Sequence, residues 1–143
     1  MSLNILLAVD GSEHSLRAVR GLIEYARELR EAPRIQLLFV HPPVPIAFAT
    51  QHVSQEVLDR YYRDEGEAAL RQAAAALGEA RLPFVSHIHV GPPAETIVKL
   101  AGDFNCRLIC LGSHGRGALA NAMVGSVAAK VLHLARLPVL LFK

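Results

Sequence analysis

The 143-residue chain carries no dense run of basic residues: 15 Lys and Arg stand against 13 Asp and Glu, for a formal net charge of +2. That balance argues against nucleic acid or an anionic membrane as the main partner. No apolar stretch approaches the roughly 20 residues a membrane span needs. The opening Met1–Leu7 has no charged n-region and meets Asp10 too early for a secretory signal. Together these absences predict a soluble cytoplasmic protein. Cysteine is scarce too, with only Cys106 and Cys110, four apart at the edge of and within an expected strand. At about 3.3 Å of rise per residue their Cα atoms would stand roughly 13 Å apart, too far for a disulfide. They also lack partners at metal-ligand spacing, so both are expected to pack in the core.

Apolar residues make up 52% of the chain, enough for a full core. The length fits a single domain over 1–143 that buries about two-thirds of its unfolded surface. No repeat or low-complexity segment interrupts it. Leu3–Val9 is a continuous apolar run that reads as a strand buried on both faces, ending in the turn Asp10-Gly11-Ser12. A helix follows from Glu13, with Leu16, Val19, Ile23 and Ala26 on its inner stripe and Ser12 or Asp10 as its cap. Arg34–Val40 is a second strand, and Val44–Val53 is a Pro-rich apolar loop suited to a lid or a partner contact. Ser54 opens a long helix through about Leu77, with Leu58, Tyr61, Tyr62, Ala69, Leu70, Ala73 and Leu77 expected inward. Phe84–Val90 alternates like an edge strand, and Gly91-Pro92-Pro93 leads into a helix carrying Ile97, Leu100, Ala101 and Phe104. Arg107–Leu111 is the fourth strand, Gly125-Ser126 starts the last helix, and Leu137–Phe142 closes the chain as a strand. In that last helix, Val127, Val131 and Leu134 are expected on one face. This alternation predicts an α/β fold: a three-layer, doubly wound, five-stranded parallel sheet of the Rossmann-like kind. An order of 3-2-1-4-5 would bring the loops after the first and fourth strands to one crevice.

The fourth strand runs into Gly112-Ser113-His114-Gly115-Arg116-Gly117, and Gly125-Ser126 follows ten residues after Gly115. Thirteen residues separate Leu111 from Gly125, whereas strand-to-helix links usually run about 2–6. Strand, glycine loop and helix N-terminus together offer backbone N–H groups and a positive dipole end to an anion. Gly112 would let the chain leave the strand tightly, while Gly115 and Gly125 would let backbone close on a ligand. Ser126 would bond a phosphate oxygen and cap the helix; Arg116 and His114 would lend charge. A flexible loop with an ordinary cap is the plain alternative. No Gly-Lys-Ser/Thr occurs, so this is not a Walker A loop. The first turn, Asp10-Gly11-Ser12, also lacks the Gly-x-Gly-x-x-Gly pattern. The lysine that phosphoryl-transfer enzymes of the Walker class rely on is therefore missing.

Taken with Ile5–Ser12 (ILLAVDGS), Gly91–Ile97 (GPPAETI), Ile109–Arg116 (ICLGSHGR), Val124–Lys130 (VGSVAAK) and Leu137–Leu141 (LPVLL), the whole chain resembles the universal stress proteins of the UspA type. Members that bind ATP show Gly-x2-Gly-x9-Gly-Ser/Thr, and Gly112, Gly115, Gly125 and Ser126 match that spacing. The resemblance implies an adenine-nucleotide site, for ATP with Mg²⁺ or for AMP or ADP. Asp10 would lie near adenine and ribose with Ala8 and Val9 beside it, and the Val40 backbone would meet the adenine edge. Gly112 would neighbour the ribose, with Ser113 and His114 in the same loop. Gly115, Arg116, Gly125, Ser126 and Val127 would surround the phosphates. It also implies a homodimer that pairs through Val139–Phe142, a sensible fate for an apolar edge strand. Gly117–Ala122 is small and apolar where relatives carry basic residues, which leaves AMP or ADP as alternatives to ATP.

Seven histidines are present. His87 and His89 share one face of the third strand without a third ligand nearby, which favours a solvated face over a metal pair. No Ser-His-Asp order or carboxylate pair is legible, so no catalytic group is assigned. The expected role is a nucleotide-binding stress or regulatory module. Its alternatives are a slow ATPase, with His114 as acid/base, and a structural stress dimer that binds no nucleotide. The adenylyl-transfer signature His-x-Gly-His is absent.

Overall fold

A computed structural model describes residues 2–45, 54–114 and 124–143. The elements run β1 (Asn4–Ala8), α1 (Glu13–Ala26), β2 (Arg34–His41), α2 (Gln55–Glu79), β3 (Phe84–Val90), α3 (Pro93–Asp103), β4 (Leu108–Gly112), α4 (Ser126–Leu134) and β5 (Val139–Phe142). The five strands form one sheet in the order β3-β2-β1-β4-β5, with every pairing parallel. The doubly wound α/β architecture is as the alternation predicts, and the strand order is the 3-2-1-4-5 expected to bring the first and fourth loops together.

Successive side chains of a strand point to opposite faces, and β1 feeds two cores accordingly. Ile5, Leu7 and Val9 join Val19, Leu22, Leu70 and Leu77 on the α1/α2 side. Leu6 and Ala8 join Ile97, Leu100 and Val131 on the α3/α4 side. Cys110 and Cys106 are split between these cores, buried and free, as expected. Burial pushes both thiols up, Cys106 to about 11 and Cys110 further. Between the sheet and α3, Gln36 donates to Asn4 Oδ1 at 3.2 Å and Asn4 to the Phe104 carbonyl at 2.7 Å. His87 meets Gln36 Oε1 at 2.7 Å and stacks on Phe104 with ring centroids 4.3 Å apart.

Three helix faces differ from expectation. The buried set of α1 is Ser15, Ala18, Val19, Leu22 and Ala26, with Leu16 and Ile23 only flanking the core. In α4, Ala128 and Val131 turn inward, which leaves Val127 and Leu134 at the surface about 100° around the helix. In α2, Ala69, Leu70, Ala73 and Leu77 are buried as expected, but Tyr61 is exposed. The reason is length. At 25 residues α2 spans roughly 37 Å, against roughly 26 Å for the eight residues of β2. Its first turns therefore overhang the carboxyl ends of the strands. No helix among the described residues is long and apolar enough to cross a membrane.

Candidate functional site

The carboxyl ends of β1, β2 and β4 open into a cleft of about 420 Å³, within the size range of small-molecule sites. Ala8, Val9 and Asp10 line it from β1, Val40 from β2, and Gly112 and His114 from β4. Gly125, Ser126 and Val127 line it from the start of α4. The structure thus gathers nine of the twelve residues named from the sequence. Ser113 is buried behind the wall, and Gly115 and Arg116 lie outside the described residues. Residues 46–53, the greater part of the expected lid, also lie outside them.

The first turn is rigid for local reasons. Asp10 Oδ1 accepts from the Ser12 N–H at 2.9 Å, and Gly11 takes φ 82°, a left-handed value that suits glycine. Ser12 caps α1 by accepting from the Ser15 N–H at 3.1 Å. The buried Ser15 hydroxyl donates to the Ser12 carbonyl at 3.1 Å and accepts from the Asp10 N–H at 3.3 Å. The N-terminus of α1 is thereby closed by its own side chains.

The N-terminus of α4 is built differently. The cap residue is Gly125, not Ser126, and among the described residues no side chain caps the first turn. The Gly125 N–H donates to the Ser113 carbonyl at 2.6 Å, and the Ser113 N–H donates to the Phe142 carbonyl at 2.8 Å. Ser113 therefore works as a strut that ties β4, β5 and α4 together. With Gly125 so held, the first helical N–H groups, from Ser126 onward, face the cleft with the positive end of the helix dipole. No Lys or Arg occurs among the described lining residues. An anion there would rest on backbone donors. Gly112 has a packing role beyond the turn expected of it. It is the last residue of β4, and a Cβ there would sit 2.9 Å from the His14 carbonyl oxygen of α1.

Sequence reasoning did not place Ser15, Pro93, Ile97, His41, Tyr61 or Glu65 at the site, yet all line the cleft. Pro93 and Ile97 come from the start of α3, whose proline opening was legible. Its place beside β1 and β4 was not. On the same side, Lys130 of α4 hydrogen-bonds Glu95 of α3 and holds its carboxyl below the usual range, fixing two helix starts to each other. Tyr61 and Glu65 arrive because α2 overhangs the strand ends.

The sequence profile of the universal stress protein family matches residues 1–143. A universal stress protein of Thermus aquaticus is 33% identical over 139 residues, 97% of each chain. The solved structure of hypothetical protein MJ0577 superposes with a TM-score of 0.85 at 27% identity, covering 100% of this chain and 96% of that one. Two further universal stress proteins share the fold. One, solved in complex with cAMP, has a TM-score of 0.70 at 24% identity over 99% of this chain and 97% of its own. The other, from Archaeoglobus fulgidus in complex with dAMP, has a TM-score of 0.65 at 21% identity over 100% and 98%. With the match running from the first residue to the last, the chain belongs to the universal stress protein family.

Proposed function

We propose that the cleft binds an adenine nucleotide and that the chain works as a homodimeric stress-response module of the cytoplasm. The observation that carries this reading is the contrast between two helix starts on one cleft. The α1 start is closed by Ser12, and the α4 start, behind Gly125, has no side-chain cap among the described residues. An open helix N-terminus at a strand-loop junction is a phosphate site by its chemistry. Hydrogen bonds from Ser126 and Val127 N–H groups to an ionised phosphate contribute about 1.5–3 kcal/mol each. The Ser126 hydroxyl adds a further donor. The base would lie over the apolar floor between Ala8, Val40 and Ile97, with Asp10 near the ribose. Solved relatives with cAMP and dAMP favour an adenine nucleotide. ATP would bring Mg²⁺ on its phosphates, and AMP or ADP would need no metal.

The dimer would form through β5, an edge strand with half-buried Val139–Phe142, beside exposed Leu132 and Leu134 of α4. Two measurements test the site. Mass spectrometry of small molecules released on denaturation should find an adenine nucleotide. In calorimetry, Gly125→Val should abolish binding of ATP and AMP while the fold persists by circular dichroism. Equal affinity before and after the substitution would remove α4 from the site.

A further inference from the structure

Beyond Val40 the cleft ends in a recess whose chemistry differs from the rest of it. His41, the last residue of β2, is ringed by Phe39, Tyr61 and Tyr62, with centroids 5.8, 5.5 and 5.0 Å away. Its side chain is only 15% exposed, while that of Glu65 is 41% exposed. The His41 Nδ1 lies 2.5 Å from the Pro42 carbonyl oxygen, so Nδ1 carries the proton and donates. In the neutral ring Nε2 is then an acceptor, and it lies 3.9 Å from Glu65 Oε1, too far for a hydrogen bond. The Tyr61 hydroxyl spends its one proton on that same Oε1, at 3.2 Å. Among the described residues no partner takes the other carboxylate oxygen, Oε2. Tyr62 is scaffold: its hydroxyl accepts from the Val44 N–H at 2.8 Å and pins the chain after β2 against α2.

Among the described residues that line it, the recess therefore presents side-chain acceptors, since Tyr62, whose hydroxyl keeps its own proton, does not line the cleft. A carboxylate oxygen and an imidazole nitrogen converge where a ligand must bring donors. Resting on the nucleotide reading above, we propose that Glu65, held by Tyr61 and paired with His41, is a specificity-determining residue that accepts a hydrogen bond from the exocyclic amine of the base. Its place suits that task. β2 and β4 flank β1, so their carboxyl ends stand roughly 10 Å apart. A phosphate at the α4 start thus directs the base toward Val40 and the recess beyond it. An amine has two protons, one for Glu65 Oε2 and one for His41 Nε2. A 6-oxo group in the same position turns an acceptor toward two acceptors, and both sides lose their water without gaining a bond.

The test is calorimetry with AMP and with IMP at pH 8 on the wild type, Glu65→Gln and Glu65→Ala. The wild type should bind AMP at least about tenfold more tightly than IMP, the low end for a partly exposed charged hydrogen bond. In Glu65→Gln the amide supplies a donor, so the ratio should fall toward one as AMP weakens and IMP tightens. Glu65→Ala should also lose the preference, with IMP held no less tightly than in the wild type. Equal binding of AMP and IMP by the wild type overturns the assignment and leaves the nucleotide reading standing. Parallel weakening of both ligands in the variants, at an unchanged ratio, marks a structural role for Glu65 and also overturns it. Binding of neither nucleotide by the wild type defeats the nucleotide reading itself, and this assignment with it.

Discussion

Gly112→Ala is a one-carbon change whose consequence follows from the packing of β4 on α1. The new Cβ would lie 2.9 Å from the His14 carbonyl oxygen, 3.3 Å from its carbon and 3.2 Å from the His114 oxygen. All three are backbone atoms, so no side chain can rotate out of the way. Relief requires α1 and the end of β4 to part by roughly half an ångström, given ordinary contacts near 3.5 Å. Overpacking of this kind costs about 1–3 kcal/mol. Against it stands a gain of about 0.4–1 kcal/mol from the stiffer unfolded chain. The net loss is about 0–2.6 kcal/mol, with a midpoint of about 1.3, and at roughly 3–4 °C per kcal/mol for a chain of this size Tm should fall by about 4–5 °C and by no more than about 10 °C. Gly78→Ala is the matched control. It makes the same chemical change near the end of α2, where a Cβ would meet nothing within 4 Å. Its only effects are helix propensity and unfolded-state entropy, so it should leave Tm unchanged or raise it by up to about 4 °C. Thermal unfolding followed by circular dichroism reads both signs in one experiment. Gly112→Ala unfolding at or above the wild-type temperature would refute the claim that α1 and the end of β4 are in backbone contact.

Two other predictions concern titration and reactivity. Burial first, and the neighbouring His89 second, hold the His87 pKa below its ordinary value. The unfolded chain then binds this proton more readily, so stability is full above about pH 6.5 and declines as pH falls from there toward the folded pKa. Urea midpoints between pH 5 and 7.5 should show that decline, and it should shrink in His87→Gln; an unchanged slope would exclude His87 as its source. The raised pKa values and burial of Cys106 and Cys110 predict that a thiol reagent at pH 8 labels neither in the folded protein and both in denaturant. Fast labelling of the native state would contradict the packing.

The centre of the sheet was legible because its strands are buried on both faces. LNILLAV and RIQLLFV leave a helix no polar face to expose, and the turn at Asp10-Gly11-Ser12 fixes where the first strand stops. Gly112 and the pair Gly125-Ser126 were legible by spacing, because glycine marks places where backbone must come close. Other parts depended on relations between elements. That Gly125 and not Ser126 caps α4 follows from the bond between the Gly125 N–H and the Ser113 carbonyl, which no local pattern announces. Tyr61 read as a core residue because its helical spacing is right. Its exposure is set by how far α2 outruns β2.

The two ends of the cleft therefore rest on different kinds of chemistry. At the α4 end, the described groups facing an anion are N–H groups and one hydroxyl, with the helix dipole behind them. Backbone donors cannot be removed by exchanging a side chain; they can only be blocked, as a Cβ on Gly125 would do. On the proposed reading that end would fix the class of ligand and resist tuning. At the β2 end the acceptors are side chains, Glu65 and His41, so in the proposed site one substitution would change which base is preferred and would leave the phosphate contacts in place. A family fold can thus keep its anion site while each chain sets its own selectivity at the far wall. In this chain that setting depends on an overhanging helix. Shortening α2 by its first two turns, through about Tyr61, would take away the hydroxyl that orients Glu65 while the buried contacts from Ala69 onward remain.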